Sequence, residues 1–151
     1  MIGTLHAVYL RPGARIPAVS RQHAIAVEGR GLDGDHQDGG KRQVTLLDRD
    51  AWAAACALLG RDLDAGVRRA NLVLSGLELH NALGGTVTIG DVVIDVLGET
   101  RPCELMDDDG RLGLQNALRP ERRGGVYGRI RCGGELRVGM ACSFEPSSDR
   151  A

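Results

Sequence analysis

The chain has 151 residues, a formal net charge of −1, and 42% hydrophobic and 26% charged side chains, proportions of a folded domain with one core rather than of a disordered chain. A pI near 6.4 and only 3% aromatic residues argue against a nucleic-acid partner, so any anion must be held by a local basic cluster. Met1-Ile2-Gly3-Thr4-Leu5-His6 has no basic region leading into an apolar run, and no apolar stretch is long enough to span a bilayer, which predicts a cytoplasmic protein with no membrane partner.

Twenty-two glycines punctuate short β-branched and leucine runs, the texture of a compact, strongly bent sheet or barrel. Strands are predicted over 2–9 and 23–27. The loop from Gly31 to Arg42 then concentrates glycine, acid, histidine and base. It admits a hard-metal or zinc site from Asp33, Asp35, His36 and Asp38, although its spacing fits no standard motif. It also admits a glycine-lined loop whose amides and Lys41 meet a phosphate, or a plain turn. The phosphate-loop pattern of nucleoside triphosphatases fails, because Asp35 stands where its first glycine is needed and Arg42 replaces Ser/Thr.

A strand over 43–47 leads into a helix over 48–59. Asp48 can cap its start, Gly60 can end it, and Trp52, Ala55, Cys56 and Leu59 share the face that packs on the sheet. Arg68-Arg69-Ala70-Asn71 precedes a strand over 72–75 and offers guanidinium forks for phosphate or carboxylate. Strands over 86–89 and 92–97 flank Gly90-Asp91, a good two-residue hairpin turn. The segment Gly84–Asp91 is echoed by Gly133–Met140, where Met140 replaces the turn-friendly aspartate and weakens the second hairpin.

Cys103 follows the strand over 92–97. If Pro102 opens a short helix, the thiol falls in its first turn beside Arg101, and both favour the thiolate. A packed loop cysteine is the alternative. Asp107-Asp108-Asp109-Gly110 reads as a solvated turn. In the strand over 126–132, alternation puts Val126, Ile130 and Cys132 inward and Tyr127, Arg129 and Arg131 outward. Tyr127 and Arg129 then either line an anion pocket or face solvent. Strands over 135–138 and 141–144 follow, with Cys142 in the core. The four cysteines form no C-x-x-C pair and are read as reduced thiols. Residues 1–145 make a single domain, and 146–151 a frayed polar tail.

Taken in order, Gly34-Asp35-His36, Gln43-Val44-Thr45-Leu46, Arg69-Ala70-Asn71-Leu72-Val73, Pro102-Cys103, Arg123-Gly124-Gly125-Val126-Tyr127-Gly128-Arg129, Gly133-Gly134 and Val138-Gly139 resemble the MOSC domain family, named for the C-terminal module of molybdenum cofactor sulfurases. The likeness covers nearly the whole chain. It implies a mainly β, compact antiparallel barrel-like fold with a few short helices. It also implies a pocket for the anionic molybdenum cofactor, molybdopterin, around Gly34, Asp35, His36, Arg69, Asn71, Tyr127 and Arg129. Lys41 and Arg101 join these on charge alone. Cys103 matches the family cysteine that handles sulfur or contacts molybdenum.

The likeness is to the stand-alone bacterial members, without the N-terminal β-barrel extension and the pyridoxal-phosphate desulfurase domain of larger relatives, which implies that pyridoxal phosphate is not expected in this chain. Sulfur or electrons would come from a separate cysteine desulfurase or redox partner. Three functions remain open: a reductase of N-hydroxylated compounds with Cys103 on the metal, a persulfide carrier, and a non-enzymatic anion-binding module.

Overall fold

The computed structural model describes residues 2–147. Its frame is eleven strands in chain order: β1 (Ile2–Leu10), β2 (Val19–Arg21), β3 (His23–Val27), β4 (Gly31–Leu32), β5 (Val44–Asp48), β6 (Leu72–Ser75), β7 (Thr86–Ile89), β8 (Val92–Glu99), β9 (Val126–Cys132), β10 (Gly134–Arg137) and β11 (Ala141–Glu145). Seven of them close a ring in the order β1-β11-β7-β8-β9-β5-β6 and back to β1. Closure removes the free edges that an open sheet would expose.

The nine-residue β1 makes this possible by serving three partners along its length. Ile2 pairs with Ser143 of β11, Leu5 with Leu74 of β6, and Val8 with Arg21 of the outlying β2. Within the pairing with β6 a register shift between Leu5 and Ala7 marks a bulge, which bends the strand.

Inward-facing residues alternate along the strands. Leu5, Val8, Val44, Leu46, Leu72, Leu74, Val87, Ile89, Ile94, Val96, Val126 and Ile130 are all buried in one cluster. Every strand pairing in the ring is antiparallel except β5 with β6. A parallel pair needs a long crossover, and here it contains α1 (Arg49–Leu59). Asp48 caps α1 by accepting from the amides of Asp50 and Ala51, and Gly60 ends it in the left-handed region at φ 67°. Trp52, Ala55 and Cys56 join Leu47, Val73, Met106 and the short α2 (Leu114–Leu118) in a second buried cluster outside the barrel. β5 is therefore buried on both faces, with Leu46 inside and Leu47 under the helices.

The structure departs from three local readings. Cys132 is exposed, because the β8–β9 pairing shifts register between Val93 and Ile94: Val93 pairs with Cys132 but Ile94 with Ile130. The extra residue breaks the alternation that would have buried the thiol. The repeat at 133–140 is not a second hairpin: β10 pairs with β3 in a small β10-β3-β4 sheet, while β11 returns to the barrel. Cys103 sits immediately before a four-residue 3₁₀ turn, Glu104–Asp107, in extended backbone and not in the turn itself. Of the polar tail, 148–151 lies outside the described residues. Among the described residues no helix is long and apolar enough to cross a membrane.

Candidate functional site

At the end of β8 the chain buries Thr100 and Pro102 but leaves Cys103 exposed. Its thiol faces a cavity of about 580 Å³. The same wall carries His36, Thr45 and seven arginines, at positions 11, 15, 42, 68, 69, 101 and 111, against two carboxylates, Asp108 and Asp109. These come from loops at the ends of several strands, as binding residues on a rigid scaffold commonly do.

The arginines fall into two groups by what their guanidinium groups already hold. Arg11 is anchored on a buried carboxylate: its Nη2 and Nε donate to Asp35 at 2.9 and 3.2 Å, and its backbone amide donates to Asp35 Oδ1 at 2.7 Å. The Asp35 side chain is wholly shielded from solvent. Asn71 lies beneath, accepting from Thr45 N at 3.1 Å and Arg11 Nη2 at 3.2 Å, and donating to Asp35 Oδ1 at 3.1 Å and the Tyr9 carbonyl at 3.1 Å. Burial acts to raise the Asp35 carboxyl. The bonds from Arg11, its charge and the Gln37 amide outweigh burial and hold the group below the usual carboxylate range.

Arg68 donates to the carbonyls of Gly124 at 2.9 Å and Thr100 at 2.7 Å, tying the Cys103 segment to the loop before β9. Only a glycine fits at 124, since a Cβ there would lie 2.8 Å from the Thr100 carbonyl oxygen. Burial pushes the Arg68 guanidinium down to about 10, against the opposing pull of Cys103 and Glu99, so it stays charged at neutral pH. Arg69, in left-handed backbone at φ 65°, donates to the carbonyls of Gly13 and Ile16 and fixes the loop after β1. Arg111 donates to the carbonyls of Met106 and Leu105.

The other three arginines are uncommitted. Among the described residues no protein acceptor takes a bond from Arg15, Arg42 or Arg101; Arg42 instead rests 4.9 Å from the centroid of the Tyr127 ring. Charged donors already in place without partners are what an incoming oxyanion needs.

Of the residues proposed from sequence, His36, Arg69, Arg101 and Cys103 share this cavity. Asp35 and Asn71 do not reach it and act from beneath through Arg11. Gly34 lines a separate hollow of about 150 Å³. Lys41 and Arg129 are exposed and line none of the cavities described here. Tyr127 lines a neighbouring cavity. The metal reading of the 31–42 loop fails: Asp35 is spent on Arg11, Asp38 is paired with Arg30 at 2.6 Å, and among the described residues no three His, Cys, Asp or Glu side chains gather as ligands.

Sequence reading singled out Arg68 with Arg69 as a guanidinium pair but missed Arg11, Arg15, Arg42 and Arg111, which lie on separate loops. A compositional signal was present. Lys41 is the single lysine, and the other 18 of the 19 lysine and arginine residues are arginine, the side chain suited to bidentate oxyanion recognition.

Solved structures share the fold. The YUAD protein from Bacillus subtilis superposes with a TM-score of 0.80 at 15% identity, over 95% of this chain and 96% of its own. YiiM from Geobacillus stearothermophilus gives 0.79 at 18% identity, over 99% and 78%, and YiiM from Escherichia coli gives 0.71 at 18%, over 96% and 70%. Identities this low speak to fold alone. No curated protein sequence matches the chain. A family model does: that of the MOSC domain matches residues 33–143, most of the chain, and the chain therefore belongs to the MOSC domain family.

Proposed function

We propose that the chain binds a molybdenum cofactor in the arginine-lined cavity, with Cys103 as thiolate ligand to the metal, and reduces N-hydroxylated compounds there. One observation carries the reading: an exposed cysteine opens onto a cavity where three uncommitted guanidinium groups stand beside four anchored ones. The donor set fits the group. A phosphorylated pterin needs charged N–H donors for its phosphate and a space of a few hundred Å³. A metal already carried on sulfur ligands can take a cysteine thiolate as a further one. Because no three protein ligands converge among the described residues, the metal has to arrive with its own chelate.

Bound there, the cofactor would supply two-electron redox chemistry. The protein's part is to bind and orient. Arg15, Arg42 and Arg101 hold the anion, and Arg11, Arg68, Arg69 and Arg111 keep the surrounding loops in place. His36 is the one imidazole on the wall and can give or take a proton at a ring nitrogen. Protein purified from a cofactor-producing host is expected to carry molybdenum and a pterin, fluorescent after oxidation, at one per chain. Cys103→Ser is expected to keep most of the pterin and lose reductase activity. Metal-free, pterin-free protein from such a host would reject the reading.

The exposure of Cys103 favours a second reading, a persulfide carrier, since sulfur exchange needs a thiolate that a partner can reach. A desulfurase persulfide would hand its outer sulfur to Cys103 and leave as a thiolate. Intact mass after incubation with a cysteine desulfurase and cysteine should then rise by one sulfur in wild type and not in Cys103→Ala. No rise in either would remove it.

A further inference from the structure

The Cys103 cavity has a neighbour of about 460 Å³, and the two meet at Arg42 and Arg101, which line both. The rest of the second wall is Leu83, Glu99, Arg122 and Tyr127. The Tyr127 ring lies against the bare backbone of Gly98, its cross-strand partner: a Cβ on Gly98 would come within 2.6 to 2.7 Å of the ring and hydroxyl. The ring in turn holds the Arg42 guanidinium over its face. Glycine at 98 thus sets the ring, and the ring sets a cation at the junction of the two cavities.

Backbone strain points to the same place. Among the described residues, the non-glycine positions in left-handed backbone are Arg15, Arg69, Asp109, Glu121 and Arg122. Three of them line the Cys103 cavity, and Arg122 lines both its neighbour and a third hollow that it shares with Glu121 and His80. Strain of this kind persists where binding geometry requires it. Arg122 donates one bond, from Nη1 to the His80 carbonyl, which leaves Nε and Nη2 for a ligand. Arg101 has no protein partner among the described residues.

We propose that the second cavity is an oxyanion subsite, taking the carboxylate or phosphate of a small organic ligand whose body packs on Leu83 and Tyr127. Arg122 contacts the oxyanion, Arg42 and Arg101 form the junction that both cavities share, and Glu99 limits affinity as the carboxylate on the same wall. The subsite stands whether or not the Cys103 cavity holds a pterin.

The test is calorimetric titration of the full chain with phenyl phosphate and with benzoate at low ionic strength, where exposed charges act over longer range. One of the two should bind at one per chain, and the tighter one identifies the class. Arg122→Gln should weaken it about tenfold by removing a charge-assisted donor. Glu99→Gln should tighten it several-fold, an opposite change that a misfolded variant could not produce. The proposal falls if neither anion binds wild type, or if Arg122→Gln and Glu99→Gln leave affinity unchanged while Arg15→Gln weakens it, which would place the anion beside Cys103. Molybdenum and pterin content reads the cofactor proposal separately from all of these outcomes.

Discussion

The floor and the mouth of the Cys103 cavity are built from the same side chain and do opposite work. On the floor, Arg11 is locked by Asp35 and Asn71 at distances of 2.9 and 3.2 Å, and the Asp35 carboxylate it is packed against is wholly shielded from solvent. At the mouth, Arg15, Arg42 and Arg101 hold no protein acceptor among the described residues. A guanidinium with a buried carboxylate fixes geometry, whereas one without a partner is a standing charge for a ligand to neutralise. Substitutions on the floor should therefore register as lost stability, and substitutions at the mouth as lost binding.

The largest expected effect is on the floor. Asp35→Asn removes the charge that Arg11 is packed against and leaves a half-buried guanidinium unpaired, at a cost of about 3 kcal/mol, readable as a lower midpoint in urea with an unchanged slope. The same pair makes a pH prediction. Because the folded Asp35 carboxyl lies below its ordinary range, its stabilisation is complete above that range and is lost as pH falls through the folded value. Wild type should weaken over that acid window, and Asp35→Asn should lack that part of the loss.

Arg101→Gln should invert the pattern, shifting stability by less than about 0.5 kcal/mol while weakening retention of the anionic ligand about tenfold. A fall in stability like that of Asp35→Asn would erase the distinction between floor and mouth. The smallest effect belongs to Tyr127→Leu, which removes the ring under Arg42 and should cost about 0.5 to 1 kcal/mol of ligand affinity, measured by the same titration.

How much of this was legible in the sequence follows the range of each interaction. The β7–β8 hairpin and the caps of α1 are settled by residues a few positions apart, Gly90-Asp91 and Asp48 with Gly60, and they form as read. The repeat at 133–140 was misread because its partner is remote: Gly134 pairs with Ala26, and no local pattern announces that. Cys132 was misplaced because its exposure depends on a register shift against β8, which strict alternation does not contain.

The site divides the same way. Cys103 beside Arg101, Arg69 and His36 stood out by residue type and family resemblance, and the fold brings them to one cavity. Asn71 and Asp35 stood out too, but their work is to hold Arg11, which lies 60 and 24 positions away. Only closure of the barrel brings those three together.

The most direct test compares molybdenum and pterin per chain in wild type, in Arg15→Gln/Arg101→Gln and in Asp35→Asn, all purified from a cofactor-producing host, with urea unfolding of each. The account predicts one of each per chain in wild type, a large loss from the double mouth variant at unchanged stability, and reduced stability for Asp35→Asn. Wild type carrying neither, or a double variant as fully loaded as wild type, would contradict it.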